Sequence, residues 1–218
     1  MAARLIVFDL DGTLIDSRAD LAAAVNDMRI EFGLEPLPVP TVAGYVGDGI
    51  RLLTERALQG APVDVEAAVA RTRAAYGRRL VERTTLYPGV AAALDDLQAL
   101  GYRLAVVTNK PHEFTVTLLG HFGLLPRLAA VLGGGATARL KPHPEPILRA
   151  LAAAGCEADG SWMVGDHHTD LAAGRAAGLR TCFCTYGFGQ RGEQTADLTV
   201  ASLAELVEHV RGAVPSQG

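Results

Sequence analysis

Four groups of polar residues carry the chemistry open to this chain. Asp9 and Asp11 are carboxylates separated by a single residue and followed by Gly12-Thr13. Thr108-Asn109 sets a hydroxyl beside an amide, and Lys141 is one of only two lysines. Asp166 and Asp170 add two more carboxylates. Carboxylates without a Cys or His ligand set favour a hard, oxygen-liganded cation such as Mg2+. A lysine with a Thr hydroxyl favours an anion rich in oxygens, and phosphate meets both needs. Metal and lysine together neutralise a transferring phosphoryl group. An Asp can be the nucleophile, through an aspartyl-phosphate, while a second carboxyl group protonates the leaving alcohol and later deprotonates water. Asp9 and Asp11 suit that division of labour. Their spacing leaves open which takes which role.

The elements that must hold these groups follow from the hydrophobic pattern. Leu5 to Phe8 is a continuous apolar run, which predicts a strand buried on both faces. It ends in Asp9 and Asp11, a costly place for charge unless a cation or donors compensate it. From Leu86 onward helix and strand alternate. Strands are predicted at Arg103–Val107, Leu128–Leu132, Ser161–Val164, Arg180–Cys184 and Asp197–Val200, with helices between them. That alternation predicts a Rossmann-like parallel α/β sheet with helices on both faces. The chemistry-bearing residues then fall at the C-terminal ends of strands or in loops that reach that edge, where such sheets bind ligands.

Residues 15–85 read differently. They are nearly all helix, with no convincing strand. Ser17 with Asp20 reads as a capping box opening a helix that Gly33 ends. A short helix is expected over Thr41–Val46, another through Leu52 to Ala57, and a long one capped by Asp64 and running to about Arg83. The chain thus divides into a core of residues 1–14 and 86–218 and an inserted all-α cap of residues 15–85. An insertion directly after the first strand's C-terminal end sits over the site, where a gate belongs. Pro215 to Gly218 reads as a loose tail.

Bulk properties narrow the class. The 218 residues are 49% hydrophobic with a net charge of −4, so no basic field argues for nucleic acid or an anionic membrane. Asp9 and Asp11 interrupt any secretory apolar core, and no apolar run approaches the roughly 18 residues of a membrane span. Three cysteines give no disulfide framework, and Cys182 and Cys184 read as buried small residues of a strand. The expectation is a cytoplasmic protein, monomer or homodimer, acting on a small phosphorylated metabolite.

The segment Phe8-Asp9-Leu10-Asp11-Gly12-Thr13-Leu14 resembles the first motif of the haloacid-dehalogenase-like hydrolase superfamily. Val107-Thr108-Asn109 resembles its second motif, Lys141-Pro142 its third, and Gly165-Asp166 with Asp170 its fourth. The resemblance implies a nucleophilic Asp9 and an acid/base Asp11. It implies Mg2+ bound by Asp9, the backbone carbonyl of Asp11 and Asp166, with Asp170 in support. Thr108 and Asn109 would hold phosphoryl oxygens, and Lys141 would stabilise nucleophile and phosphate. Dehalogenases lack the second Asp, so Asp11 points to phosphate chemistry. Phosphonoacetaldehyde hydrolases need a cap lysine, and residues 15–85 contain none.

Tyr45-Val46-Gly47-Asp48-Gly49, Leu86-Tyr87-Pro88-Gly89-Val90, Thr108-Asn109-Lys110-Pro111, Lys141-Pro142-His143-Pro144 and Thr185-Tyr186-Gly187 resemble the bacterial phosphoglycolate phosphatase subfamily. That implies 2-phosphoglycolate as the first substrate to consider. Another sugar-phosphate phosphatase, such as one for N-acetylmuramate 6-phosphate, or a pyrophosphatase is the alternative. A phosphomutase or a non-catalytic binding protein stands further off. In the cap, the amides around Gly47 and the Arg51 guanidinium are expected to read the leaving group. Lys110 reads as a solvated loop cation or a guide for anions, and His112, His121 and His209 as surface or interface residues. One departure stands out. After Asp166 the family usually has Ser or Thr, and here His167-His168 follows. The pair could alter the metal's surroundings or hold a soft metal of its own.

Overall fold

The computed structural model describes residues 3–212, so the Pro215–Gly218 tail lies outside the described residues. The first strand, β1 (Arg4–Phe8), is buried from Leu5 to Phe8. Successive side chains of a strand point to opposite faces. Ile6 and Phe8 accordingly join one hydrophobic cluster, and Leu5 and Val7 the other. Burying such a side chain stabilises by about 1.5–3 kcal/mol, so β1 anchors both layers.

A two-residue strand, β2 (Ile15–Asp16), comes next. Four helices follow: α1 (Arg18–Glu31), α2 (Val39–Ala43), α3 (Ile50–Leu58) and α4 (Val65–Arg79). A second short strand, β3 (Thr85–Leu86), closes this part. The rest alternates: α5 (Val90–Ala99), β4 (Arg103–Pro111), α6 (His112–His121), β5 (Ala130–Gly134), α7 (Glu145–Ala154), β6 (Glu157–Gly165), α8 (His168–Ala176), β7 (Arg180–Cys184), β8 (Leu198–Val200) and α9 (Leu203–Gly212).

The main sheet is six-stranded and parallel in the order β5-β4-β1-β6-β7-β8. β1 is central, with Phe8 in register with Val106 on one side and Val164 on the other. Helices cover both faces: Leu94, Leu97, Leu118 and Leu206 pack with Ile6 and Phe8, whereas Ile147, Ala150, Leu151 and Ala173 pack with Leu5 and Val7. The fold is the α/β Rossmann-like architecture expected from the alternation.

Several boundaries differ from the sequence reading. The stretch 15–85 is bracketed by strands after all: β2 and β3 pair antiparallel, Ile15 with Leu86 and Asp16 with Thr85. Two residues carry no period, so the pattern could not reveal them. β4 runs four residues past Val107, through Thr108-Asn109-Lys110-Pro111. Pro111 is tolerated because the ladder to β5 is already irregular there. β6 begins at Glu157 rather than Ser161, and β5 lies two residues later than expected. The Asp64 cap is present, with its side chain accepting from the Glu66 amide at 3.0 Å, but α4 ends at Arg79.

The Ser17-Asp20 capping box is absent. Asp20 is fully buried and accepts instead from the Arg83 and Thr84 amides and the Thr84 hydroxyl at 2.7–3.1 Å. Long-range donors have taken the side chain from its local one. Cys182 and Cys184 are buried in β7 as read. Among the described residues, no helix is long and apolar enough to cross a membrane.

Candidate active site

Three adjacent parallel strands, β4, β1 and β6, deliver their C-terminal ends to one place. β1 hands over Asp9, whose amide donates to Val164 O at 2.9 Å and so locks the exit direction. β4 brings Thr108, Asn109 and Lys110, and β6 brings Asp166. Asp170 rides on the first turn of α8, where its carboxylate accepts from the His167 amide at 3.0 Å. All of these side chains are buried.

Lys141 is the hub. Its Nζ donates to Asp9 Oδ1 at 2.8 Å, Asp170 Oδ1 at 2.6 Å and Val107 O at 2.7 Å. Three acceptors satisfy all three ammonium protons. The loop that carries Lys141 is fixed by Asn109. Asn109 Nδ2 donates to Lys141 O and Gly47 O, and the Lys141 amide donates to Asn109 Oδ1, each at 2.9 Å. The Asn109 side chain is thus spent on positioning Lys141 and the Gly47 loop. The Thr108 hydroxyl accepts only from the Lys110 amide, at 3.3 Å, which leaves its own proton to give.

Three carboxylates gather here, and the ammonium bonds two of them, Asp9 and Asp170. Oxygens of Asp9, Asp166 and Asp170 lie within 4.8 Å of one another. Burial raises the Asp9 carboxyl above its ordinary value, and Asp170 adds to that rise while Lys141 opposes it. Asp166 is pushed well above the usual carboxylate range by burial, then by Asp170 and Asp9. The Phe188 and Gly189 amides, at 2.9 and 2.7 Å from Asp166 Oδ2, offset part of this. For Lys141, burial works against the charge, but Asp170 and Asp9 outweigh it and hold the ammonium above its ordinary value.

A hard divalent cation fits the cluster: the donors are all oxygen, they converge, and they carry more negative charge than Lys141 cancels. The backbone makes room for it. A Cβ on Gly12 would sit 1.9 Å from Asp166 Oδ2, and one on Gly187 would meet the same carboxylate at 2.4 Å.

Asp11 lies in different company. Lys110 Nζ donates to both of its oxygens at 2.8 Å, and the Ser17 hydroxyl donates to Oδ1 at 2.5 Å. Lys110 is therefore not a solvated loop cation. It is 6% exposed, and its ammonium lies 4.5 Å from the centroid of the Tyr76 ring. Burial alone would lower it, but Asp11 and Tyr76 more than compensate and raise it above the ordinary lysine value. Burial pushes the Tyr76 phenol up to about 12.

The cleft is lined by Asp9, Asp11, Thr108, Asn109, Lys110 and Asp166 from the sheet edge and by Gly47, Ile50, Leu53 and Tyr76 from the helical stretch. Arg51 is not among these residues. It is exposed, pairs with Glu55 and Glu66, and borders a neighbouring cavity with Ile50, Asn109 and Leu140. Gly47 packs on His167, whose ring a Cβ would meet at 2.6 Å. Burial and the adjacent His168 lower His167 to about 4.

Sequence reasoning gave Lys110 and Ser17 other roles, a loop cation or anion guide and a helix cap, and passed over Tyr76 and the Phe188-Gly189 amides. The one available signal for Lys110 was the scarcity of lysine. For the amides it was Gly187-Phe188-Gly189, a spacing that lets backbone approach a ligand site closely.

Comparison with known proteins shows the family of the chain. The family model of haloacid dehalogenase-like hydrolases matches residues 6–184. A phosphoglycolate phosphatase of Cupriavidus necator is 39% identical over 208 residues, covering 92% of this chain and 90% of that protein. A phosphoglycolate phosphatase of Chromobacterium violaceum is 38% identical over 211 residues, covering 94% and 95%. The crystal structure of a predicted phosphoglycolate phosphatase from Haemophilus somnus superposes with a TM-score of 0.90 at 30% identity, covering 95% of this chain and 98% of that one. The chain belongs to the haloacid dehalogenase-like hydrolases and, within them, to the phosphoglycolate phosphatase-like phosphomonoester hydrolases.

Proposed function

We propose that this chain is a Mg2+-dependent phosphomonoesterase that works through an aspartyl-phosphate on Asp9, with 2-phosphoglycolate as its substrate. The observation that carries the reading is the convergence of Lys141 on Asp9 and Asp170 with Asp166 beside them. Asp9, Asp166 and the backbone carbonyl of Asp11 would hold the metal, and Asp170 would support it by fixing Lys141. When bound, Mg2+ supplies positive charge to the phosphoryl oxygens and to the Asp9 carboxylate.

The chain's own groups do the rest. Lys141 turns an Asp9 oxygen toward phosphorus and neutralises charge as the Asp9 O–P bond forms and the ester P–O bond breaks. The Thr108 hydroxyl donates to a phosphoryl oxygen. With substrate bound, Asp11 leaves Lys110, takes up a proton from solvent, and gives it to the departing alkoxide. It then takes one from the water that attacks phosphorus, freeing inorganic phosphate and Asp9. Lys110 holds Asp11 between these steps. The helices of residues 15–85 act as a gate, with Gly47, Ile50, Leu53 and Tyr76 excluding bulk water. The substrate assignment rests on the named relatives. Arg51 can reach a glycolate carboxylate only by leaving Glu55 and Glu66.

The experiment is a phosphate-release screen with Mg2+ across 2-phosphoglycolate, sugar phosphates, nucleotides and pyrophosphate. A kcat/KM highest for 2-phosphoglycolate, lost on chelation and restored by Mg2+, supports the proposal. Highest turnover of a sugar phosphate or pyrophosphate moves the substrate but keeps the chemistry. No release from any ester removes both.

A further inference from the structure

Three ligating side chains lie beside the cleft and take no part in the chemistry above. Asp48 comes from the loop between α2 and α3, His167 precedes α8, and His168 opens it. One ligand atom from each lies within 4.8 Å of the others. The two imidazoles are tilted by 45° with centroids 4.1 Å apart. His167 and Asp48 are oriented from behind. Thr169 Oγ1 lies 3.0 Å from His167 Nδ1, which leaves Nε2 free. The His168 amide donates to Gln190 O at 2.8 Å, fixing the start of α8. Arg56 holds Asp48 Oδ2 at 2.6 Å, so Oδ1 remains as a single donor. The three residues border a cavity of about 210 Å³ with Val46, Arg56 and Gln190.

We propose that Asp48, His167 and His168 form a second metal site, for a borderline transition ion of the Zn2+ type. Two imidazoles and one carboxylate, with a fourth position open to a cavity, is the donor set of such sites. It is a poor set for Mg2+, which prefers oxygen. Thr169 and Arg56 supply the outer contacts that orient ligating side chains. The site joins two parts of the molecule. Asp48 adjoins Gly47, whose carbonyl receives Asn109, and the histidines adjoin Asp166 and Asp170. A metal there fastens the Gly47 loop to the start of α8 and slows the opening of the cleft.

The test is a Co2+ titration of the full chain under saturating Mg2+, which keeps the carboxylate cluster occupied. One equivalent should bind with visible d–d bands and be displaced by Zn2+. His168→Gln and Asp48→Asn should each weaken binding by about 10–100-fold and keep the Mg2+-supported activity. Asp9→Asn should leave the Co2+ spectrum intact, since Asp9 serves the other site and makes no hydrogen bond to Asp48, His167 or His168. Equal Co2+ affinity in the His168→Gln, Asp48→Asn double variant overturns the proposal. So does loss of the bands in the Asp9→Asn variant, or their absence at millimolar Co2+ in the wild type.

Discussion

Asp9 and Asp11 are two residues apart in sequence and live in opposite surroundings. Asp9 belongs to a crowd: three carboxylates and one ammonium, drawn from two strand ends, one helix and one loop. Asp11 belongs to a private pair, held by one lysine and one hydroxyl, with a ring of α4 closing over the lysine. The crowd lacks positive charge and therefore suits a metal and a phosphoryl group. The pair is already balanced and therefore suits a carboxyl group that must be held, released and held again. Environments that diverge around neighbouring carboxyl groups separate their roles better than their spacing does.

The contrast can be broken from either side. The largest effect is expected from Asp9→Asn, which removes the attacking oxygen. Mg2+-dependent turnover should fall by about 10⁴-fold or more while circular dichroism stays unchanged. Lys141→Met comes next. It strands the buried carboxylates of Asp9 and Asp170, so in metal-free buffer urea denaturation should show a loss of about 3–5 kcal/mol. Its kcat should fall by about 10²–10³-fold. Lys110→Met should cost less on both scales, about 2 kcal/mol and about 10–100-fold in kcat, because Ser17 still holds Asp11. Equal losses for the two lysine variants would erase the distinction drawn between crowd and pair.

Ser17→Ala should be milder again, about 1 kcal/mol with a few-fold change in kcat. A carboxylate remote from the site sets the baseline. The Thr181 amide and hydroxyl, at 2.7 and 2.9 Å, hold Asp197 below the ordinary carboxylate range. Its folded value is depressed, so its contribution is present above the unfolded value near 4 and is lost as pH falls through the folded value. It is largely solvated, so Asp197→Asn should cost about 1 kcal/mol or less at pH 7 and nothing at pH 2. Thermal melts at both pH values measure this.

The crowd was legible in the sequence and the pair was not, for a physical reason. Asp9, Thr108 and Asp166 sit where alternating strands must end, Lys141 lies in a loop that reaches the same edge, and topology brings those ends together. The strand period and the turn residues around them are local properties. Lys110, Ser17 and Asp20 are settled by partners far along the chain. Lys110 meets Asp11 and Tyr76, and Asp20 meets Thr84, across distances that no periodicity reports. Ser17-x-x-Asp20 looked like a capping box because local bonds are the only ones a sequence displays. Buried long-range donors outbid them. Arg51 shows the same limit: its fork suits a carboxylate, and the nearest carboxylates are those of Glu55 and Glu66.

The ribbon of β2 and β3 has one more consequence. Ile15 and Leu86 are in direct register, so the chain leaves the core and returns to it through neighbouring backbone positions. Two ends held side by side place no demand on what is strung between them, and the cost of closing the intervening loop rises only slowly with its length. The helices are in that sense a cassette on a fixed mount. Their length can vary between the two strands, but Gly47 and Tyr76 tie them to Asn109 and Lys110, so an exchange must keep those contacts. Selection can therefore rework what the enzyme admits while the strand ends that perform the reaction stay as they are.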